Sequence, residues 1–202
     1  MSRIITISRE FGSGGRELGK RLADELGFSY YDSELITKIA KETGMTEAYV
    51  DNIFENGIYP YTFAKSFSTY SSLYSNQTDV LVSQQKILKE IAKKGDCVIV
   101  GRGADIILKD FNTINLFVYA DMKSKVKRCY KKADSDEKLS DKEIMKMIIK
   151  VDKNRKKFYN LISGMEWGEK NNYHLCINTS NIEIKNIIPA LTSYIESWFG
   201  GK

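Results

Sequence analysis

Histidine is almost absent from this chain, proline is scarce, and cysteine is thinly spread. His174 is the sole imidazole, so a Ser-His-Asp triad has no second histidine to fall back on and a histidine-rich zinc site has no ligands. Cys97, Cys129 and Cys176 stand far apart, without C-x-x-C spacing, in segments that read as strands and a helix. That usage predicts reduced, packed thiols in a cytoplasm rather than a disulfide framework. No apolar run approaches the ~20 residues of a membrane helix. Arg3, Arg9, Glu10, Arg16 and Glu17 crowd the first twenty positions, which predicts no signal peptide and no membrane partner.

What is present suits an ordinary globular protein. Apolar residues make up 42% and charged residues 28% of 202 positions, enough for one domain with a sizeable core. Five short apolar runs read as buried strands: IITIS (4–8), FSYY (28–31), CVIVG (97–101), NLFVYA (115–120) and HLCIN (174–178). A helical pattern follows each, which predicts an α/β fold on a mainly parallel sheet. Leu18, Leu22 and Leu26 share one face of the first helix, with Gly27 as its stop. SDKE (140–143) is a capping box opening a long helix toward Ser163, and Pro189 is expected to kink the last helix, 182–199. Some 65 residues separate strands two and three, far more than a crossover helix needs. Within them YPYTFAKSFSTYSSLYSNQT (59–78) is either an irregular surface segment or an aromatic cover able to stack a base.

The segment between the first strand and first helix, GSGGRE (12–17), holds three glycines in four positions. Strand, glycine loop and helix N-terminus together favour an anion, because backbone N–H groups and the helix dipole converge there. The usual phosphate loop, G-x-x-x-x-G-K-[ST], is only partly present. With Gly14 as its last glycine, Arg9 replaces the first glycine, Gly15 the lysine and Arg16 the hydroxyl residue. With Gly15 as last glycine, Glu10, Arg16 and Glu17 take those places, and Lys20 lies one turn further along the helix. The dinucleotide fingerprint G-x-G-x-x-G fits Gly12 and Gly14 but meets Glu17 at its third glycine, with Asp32 near the ribose-binding position. Glu17 would repel a pyrophosphate and is expected to pair with Arg21.

A second candidate is VIVGRGADIIL (98–108), where Arg102 stands between two glycines just after a buried strand. Ligands of open α/β sheets bind at that edge, and a guanidinium fork suits a phosphate. The net charge of +5 is uneven: residues 121–157 carry 14 Lys/Arg against 7 Asp/Glu. Such a segment is a solvated face or a surface that meets an anion.

The succession GSGGRE, YYD (30–32), VIVGRGAD, Ala120 to Arg128, DKNR (152–155) and INTS (177–180) resembles the cytidylate kinases, in particular the bacterial cytidylate-kinase-like family. The departures are the missing loop lysine, the missing neighbouring Ser/Thr, and Gly103 where the family's GRD step has aspartate. The resemblance implies a P-loop NTPase-like, three-layer nucleoside-monophosphate-kinase fold in a single domain. Its core would span 1–40, 95–130 and 158–202, with a helical substrate-binding insert at 41–94 and a lid at 131–157. It implies ATP as donor, Mg²⁺ with no assigned protein ligands, and CMP or dCMP as acceptor. Gly12, Ser13, Gly14, Gly15 and Arg16 would hold donor phosphates, and Arg102 the acceptor phosphate. Arg128, Lys153 and Arg155 would close with Arg16 over the transferring group, and Asp32 and Asp105 would orient acceptor or metal. Small-molecule nucleotides are the expected partners, nucleic acid is not, and a homo-oligomer is left open. The competing readings are a nucleotide-binding protein without turnover, a nucleic-acid module using the basic segment, and a dinucleotide-dependent oxidoreductase.

Overall fold

The structure is a computed structural model that describes residues 2–56, 69–132 and 139–200. Five parallel strands form one sheet: β1 (Ile4–Arg9), β2 (Ser29–Tyr31), β3 (Cys97–Val100), β4 (Thr113–Tyr119) and β5 (Leu175–Asn178). Their spatial order is β2-β3-β1-β4-β5, so β1 is central and the order reverses beside it. Every residue of β1 is buried, as expected for a strand covered on both faces.

Alternate side chains feed two cores. Ile4, Cys97 and Ile99 face α2 (Glu34–Thr43), α3 (Glu47–Asn56), α4 (Thr69–Lys94) and the short α5 (Ala104–Ile107). Ile5, Ile7, Val98, Val100 and Leu116 face α1 (Gly15–Leu26) and α8 (Ile184–Gly200). The result is the expected three-layer α/β fold. Pro189 lies inside α8. The helix α7 (Asp141–Ser163) opens on the complete capping box predicted at Ser140 and Glu143. It packs against α6 (Met122–Lys132) through Ile144, Ile148 and Val126, and Phe158 meets Phe54 of α3 edge-on. Of the aromatic segment 59–78, the first ten residues lie outside the described residues, and the remainder begins α4.

Two of the sparse residues have structural posts. His174 accepts the Asn115 N–H on Nδ1 and lies 4.6 Å from the Trp198 ring. Cys97 is buried against the sheet, and desolvation pushes its thiol up to about 12. A thiol so protonated is packing, not a nucleophile.

Candidate functional site

The site grows from the reversal point beside β1, where crevices open at the carboxyl ends of parallel strands. The chain leaves β1 at Arg9 and turns through Gly12 and Gly14, both left-handed at φ 73° and 87°. Gly14 is the N-cap of α1 and offers no side-chain cap. Among the described residues, the N–H groups of Gly12, Gly14, Gly15 and Arg16 make no hydrogen bond. These are the orphan donors of a helix start, an arrangement that favours an anion. Ser13 is different: it is fully buried, its Oγ donates to the Glu10 carbonyl, and its own carbonyl accepts from Thr179 Oγ1 at 2.6 Å. Its hydroxyl is therefore a loop brace.

A buried lysine supports the loop from below. Lys125 Nζ lies 2.6 Å from Glu10 Oε2 and 3.1 Å from Asp152 Oδ2. Asp152 Oδ1 also accepts the Phe11 N–H at 2.6 Å, and Glu10 Oε2 accepts the Ala120 N–H at 3.2 Å. A Cβ at Gly12 would lie 3.1 Å from the Lys125 carbonyl, so glycine lets α6 approach this closely. Burial raises the Asp152 carboxyl, while the Phe11 N–H and Lys125 oppose that shift.

Above the loop is a cleft of about 750 Å³, walled by the loop, α6, α7 and residues 181–185. Its cations include Arg9, Arg16, Lys127, Arg128, Lys131 and Arg155. A second cavity, of about 40 Å³, lies across β1 between Ser8, Arg9, Arg102, Arg155, Tyr159 and Trp167. That volume suits a phosphate-sized group or ordered water, far short of a nucleoside.

Arg102 follows the carboxyl end of β3 and lines the smaller cavity. It is nine-tenths buried at φ 62°, between left-handed Gly101 and Gly103. Its guanidinium covers the Phe54 ring at 4.8 Å and its Nη2 lies 3.3 Å from Asp51 Oδ1. The Gln84 side-chain amide fixes the backbone here, its Nε2 donating to the Arg102 carbonyl. Asp105 is buried nearby and accepts the Tyr159 hydroxyl at 2.9 Å; desolvation pushes its carboxyl up to about 6. The same burial raises the phenols of Tyr159 and Tyr173, the latter to about 12.

Several sequence expectations need correction. Arg16 lines the cleft, but its Nε is bound to Asp32, and the side chain is largely exposed. Asp32 is thereby committed to Arg16, and to Arg9 at 3.7 Å, so it orients arginines in this structure. Lys20 turns away to Asp24 at 2.6 Å. Lys153 is exposed and lines neither cavity, because it projects from the solvent side of α7. Arg128 reaches the cleft, yet its Nη2 donates to the carbonyls of Thr179 and Ile182, holding the loop before α8. Arg155 donates to the Arg9 carbonyl at 3.2 Å and lies 5.6 Å over the Phe11 ring. Glu17 pairs with Arg21 at 2.9 Å, as its spacing predicted. Missing from the sequence reading were Arg9, Lys125 and Asp152 as site members. The available signal was a lysine on the apolar face of α6, between Met122 and Cys129.

Among the described residues no group of three His, Cys, Asp or Glu is placed to hold a metal. Mg²⁺ needs less, usually one or two carboxylates plus substrate phosphates and water. Glu10, a hard oxygen donor on the loop itself and in the cleft wall, fits that requirement.

Comparison with known proteins agrees with the geometry. The sequence model of the cytidylate kinase-like family matches residues 4–181. A cytidylate kinase of Saccharolobus islandicus is 23% identical over 195 residues, covering 96% of this chain and 91% of that protein. A cytidylate kinase of Pyrococcus horikoshii is 27% identical, covering 96% and 88%. Among solved structures, an uncharacterised protein from Eubacterium ventriosum superposes with TM-score 0.72 at 28% identity, covering 96% and 98%. A shikimate kinase from Bacteroides thetaiotaomicron shares the fold with TM-score 0.56 at 16% identity, covering 97% and 99%.

Proposed function

Because this chain belongs to the cytidylate kinase-like family, we propose that it moves the γ-phosphoryl of ATP to a nucleoside monophosphate of the CMP or dCMP class. One observation carries the reading: unsatisfied N–H groups at the start of α1 open into a cationic cleft whose wall is shared with a second, arginine-lined cavity. A donor triphosphate enters the large cleft, with its phosphates against Gly12, Gly14, Gly15 and Arg16. The acceptor phosphate enters at Arg102. Phosphoryl transfer requires no protein nucleophile, since the acceptor's own phosphate oxygen attacks, and the protein supplies position and positive charge.

Glu10 is the carboxylate at hand that would hold Mg²⁺ with the donor phosphates, and the ion would supply neutralising positive charge there. Lys125 and Asp152 keep the loop in shape. Arg128 holds the loop before α8 that walls the donor side. The lid role for residues 131–157 rests on their charge and on the place of α7 across both cavities.

The test is ADP production from ATP and Mg²⁺ with CMP, dCMP, UMP and AMP in parallel. Turnover with a cytidine nucleotide well above the others supports the proposal. Tight ATP binding with no turnover on any acceptor would assign the chain to nucleotide binding without catalysis. Binding to DNA or RNA that falls steeply with salt would instead favour the nucleic-acid module.

A further inference from the structure

Resting on that kinase reading, we propose that Ser8 donates a hydrogen bond to the acceptor phosphate, and that a buried row through Tyr173 and Tyr159 to Asp105 decides whether its hydrogen is available. Ser8 lies on β1, is buried, and lines the small cavity together with Arg102. Tyr159, from α7, lines the same cavity, and its hydroxyl donates to Asp105 Oδ2 at 2.9 Å. Between these ends stands Tyr173, whose hydroxyl shares side-chain hydrogen bonds with Tyr159 and Ser8. It also accepts the Gly168 N–H at 3.4 Å, and its ring lies 4.9 Å from that of Phe117. Buried polar side chains from β1, α5, α7 and the segment before β5 thus meet in one row.

Counting hydrogens gives the row a direction. Each hydroxyl has one hydrogen, and an ionised carboxylate only accepts. With Asp105 ionised, Tyr159 donates to it, Tyr173 to Tyr159, and Ser8 to Tyr173. Ser8 then turns only lone pairs to the cavity, which a phosphate oxygen cannot use. With Asp105 protonated the row reverses. The carboxyl donates to Tyr159, Tyr159 to Tyr173, and Tyr173 to Ser8, whose hydrogen is left for the anion. Polarisation along such a row favours the two uniform directions over a mixed one. Asp105 is therefore a positioning residue: it lines neither cavity and acts through the phenols.

Desolvation pushes the Asp105 carboxyl up to about 6, against hydrogen bonds from Tyr159 and from the N–H groups of Asp105 and Ile106. Burial also raises both phenols, Tyr173 to about 12, so they keep their hydrogens. The charged groups around the row are Arg9 from β1, Arg102 after β3 and Arg155 from α7, with Asp51 of α3 beside Arg102. Guanidinium groups stay charged and attract the anion at every pH. No covalent bond changes: one proton is taken up by Asp105 for each phosphate that accepts from Ser8. Affinity is then highest below the Asp105 pKa and falls as pH rises through it. A nucleoside monophosphate titrates near pH ~6 itself, gaining charge as pH rises. Sulfate keeps both its charges over this range and isolates the protein's share.

The experiment titrates sulfate into the parent protein, Asp105→Asn, Tyr173→Phe and Ser8→Ala, with folding checked by thermal unfolding. Binding is read from Trp167 on the cavity wall, in a Trp198→Phe background that leaves it the sole tryptophan. In the parent, Kd rises ~tenfold or more from about pH 5.5 to about pH 7.5. Asparagine can donate to Tyr159 through Nδ2 at either pH, so Asp105→Asn holds the parent's low-pH Kd within about threefold. Tyr173→Phe cuts the row and frees the Ser8 hydrogen, giving an equally flat profile, and it carries the test if Asp105→Asn does not fold. Ser8→Ala weakens binding at about pH 5.5 by ~tenfold or more, the loss of a charge-assisted hydrogen bond. Parallel pH profiles in all four proteins, as a merely structural Asp105 would give, overturn the proposal, and so does an absence of sulfate binding. In turnover, kcat/KM for CMP in Asp105→Asn relative to wild type rises ~tenfold or more from about pH 6 to about pH 8, because the acceptor's own titration cancels. If wild type turns over no acceptor, the kinase reading fails by itself, and the sulfate profiles still uphold or overturn Ser8 as a proton-linked anion donor.

Discussion

Replacing Lys125 by methionine isolates what holds the phosphate loop in shape. The side chain is 7% exposed, and the two carboxylates it joins are 26% (Glu10) and 16% (Asp152) exposed. Methionine fills the same slot beside Gly12 but leaves two acids facing each other across a low-dielectric gap. Removing one partner of a buried ion pair costs about 3–5 kcal/mol. Residual exposure of Glu10 lets water screen part of that, so the expected loss is about 3 kcal/mol. For a chain of this length each kcal/mol lowers Tm by about 2–4 °C, giving a fall of about 6–12 °C. The assay is urea unfolding and calorimetry of wild type, Lys125→Met, Asp152→Asn and the double variant. Asparagine still accepts the Phe11 N–H, so the double variant should recover at least about 1 kcal/mol relative to additivity. A loss below about 1 kcal/mol in Lys125→Met, or strict additivity in the cycle, would refute the idea that this lysine braces the loop.

Three further outcomes follow from the other contacts. Burial raises the Asp105 carboxyl to about 6 from its ordinary value of 3.8, so its folded form favours the proton. Stability from this group is therefore full below about pH 4 and is lost as pH rises through about 6, and Asp105→Asn should be the more stable protein at pH 8 by up to ~3 kcal/mol, with the gap closing near pH 4; equal denaturation midpoints at pH 8 would count against it. Arg102→Ala should weaken acceptor binding about tenfold or more, as expected for a charge-assisted hydrogen bond, measured by titration of CMP in the presence of a non-hydrolysable ATP analogue. Backbone amides of α7 should exchange more slowly when both nucleotides are present, and identical exchange with and without them would remove the lid role.

The fold was legible because its signals were local. The five apolar runs, the glycine stops and the Ser140 capping box each depend on a few neighbouring residues, and the strands match within one or two positions. The loop was legible as a glycine turn into a helix N-terminus, since glycine spacing and helix polarity lie in the sequence. How the cations around it are paired was not. Arg16 occupies the motif position, but Asp32 arrives from another strand and captures it. Arg9 reads as the end of a strand until Gly101, over ninety residues away, is seen to clear space for its guanidinium. Lys125 and Asp152 were hidden for the same reason: their partners come together only when α6 and α7 pack against the loop. Side-chain pairing across elements is a tertiary fact, and charge counting along the chain cannot supply it.

The helix α7 carries a thermodynamic consequence. Asp152 holds the loop at Phe11, Arg155 borders both cavities, and Phe158 and Tyr159 line the smaller one. Seven residues of helix, about 10 Å of nearly rigid rod, connect the first of these contacts to the last. In the proposed assignment, a donor that draws the loop toward its phosphates pulls the same rod that shapes the acceptor's seat. The two substrates then cannot be energetically independent. Whatever factor the donor adds to acceptor affinity, the acceptor must return to the donor in equal measure.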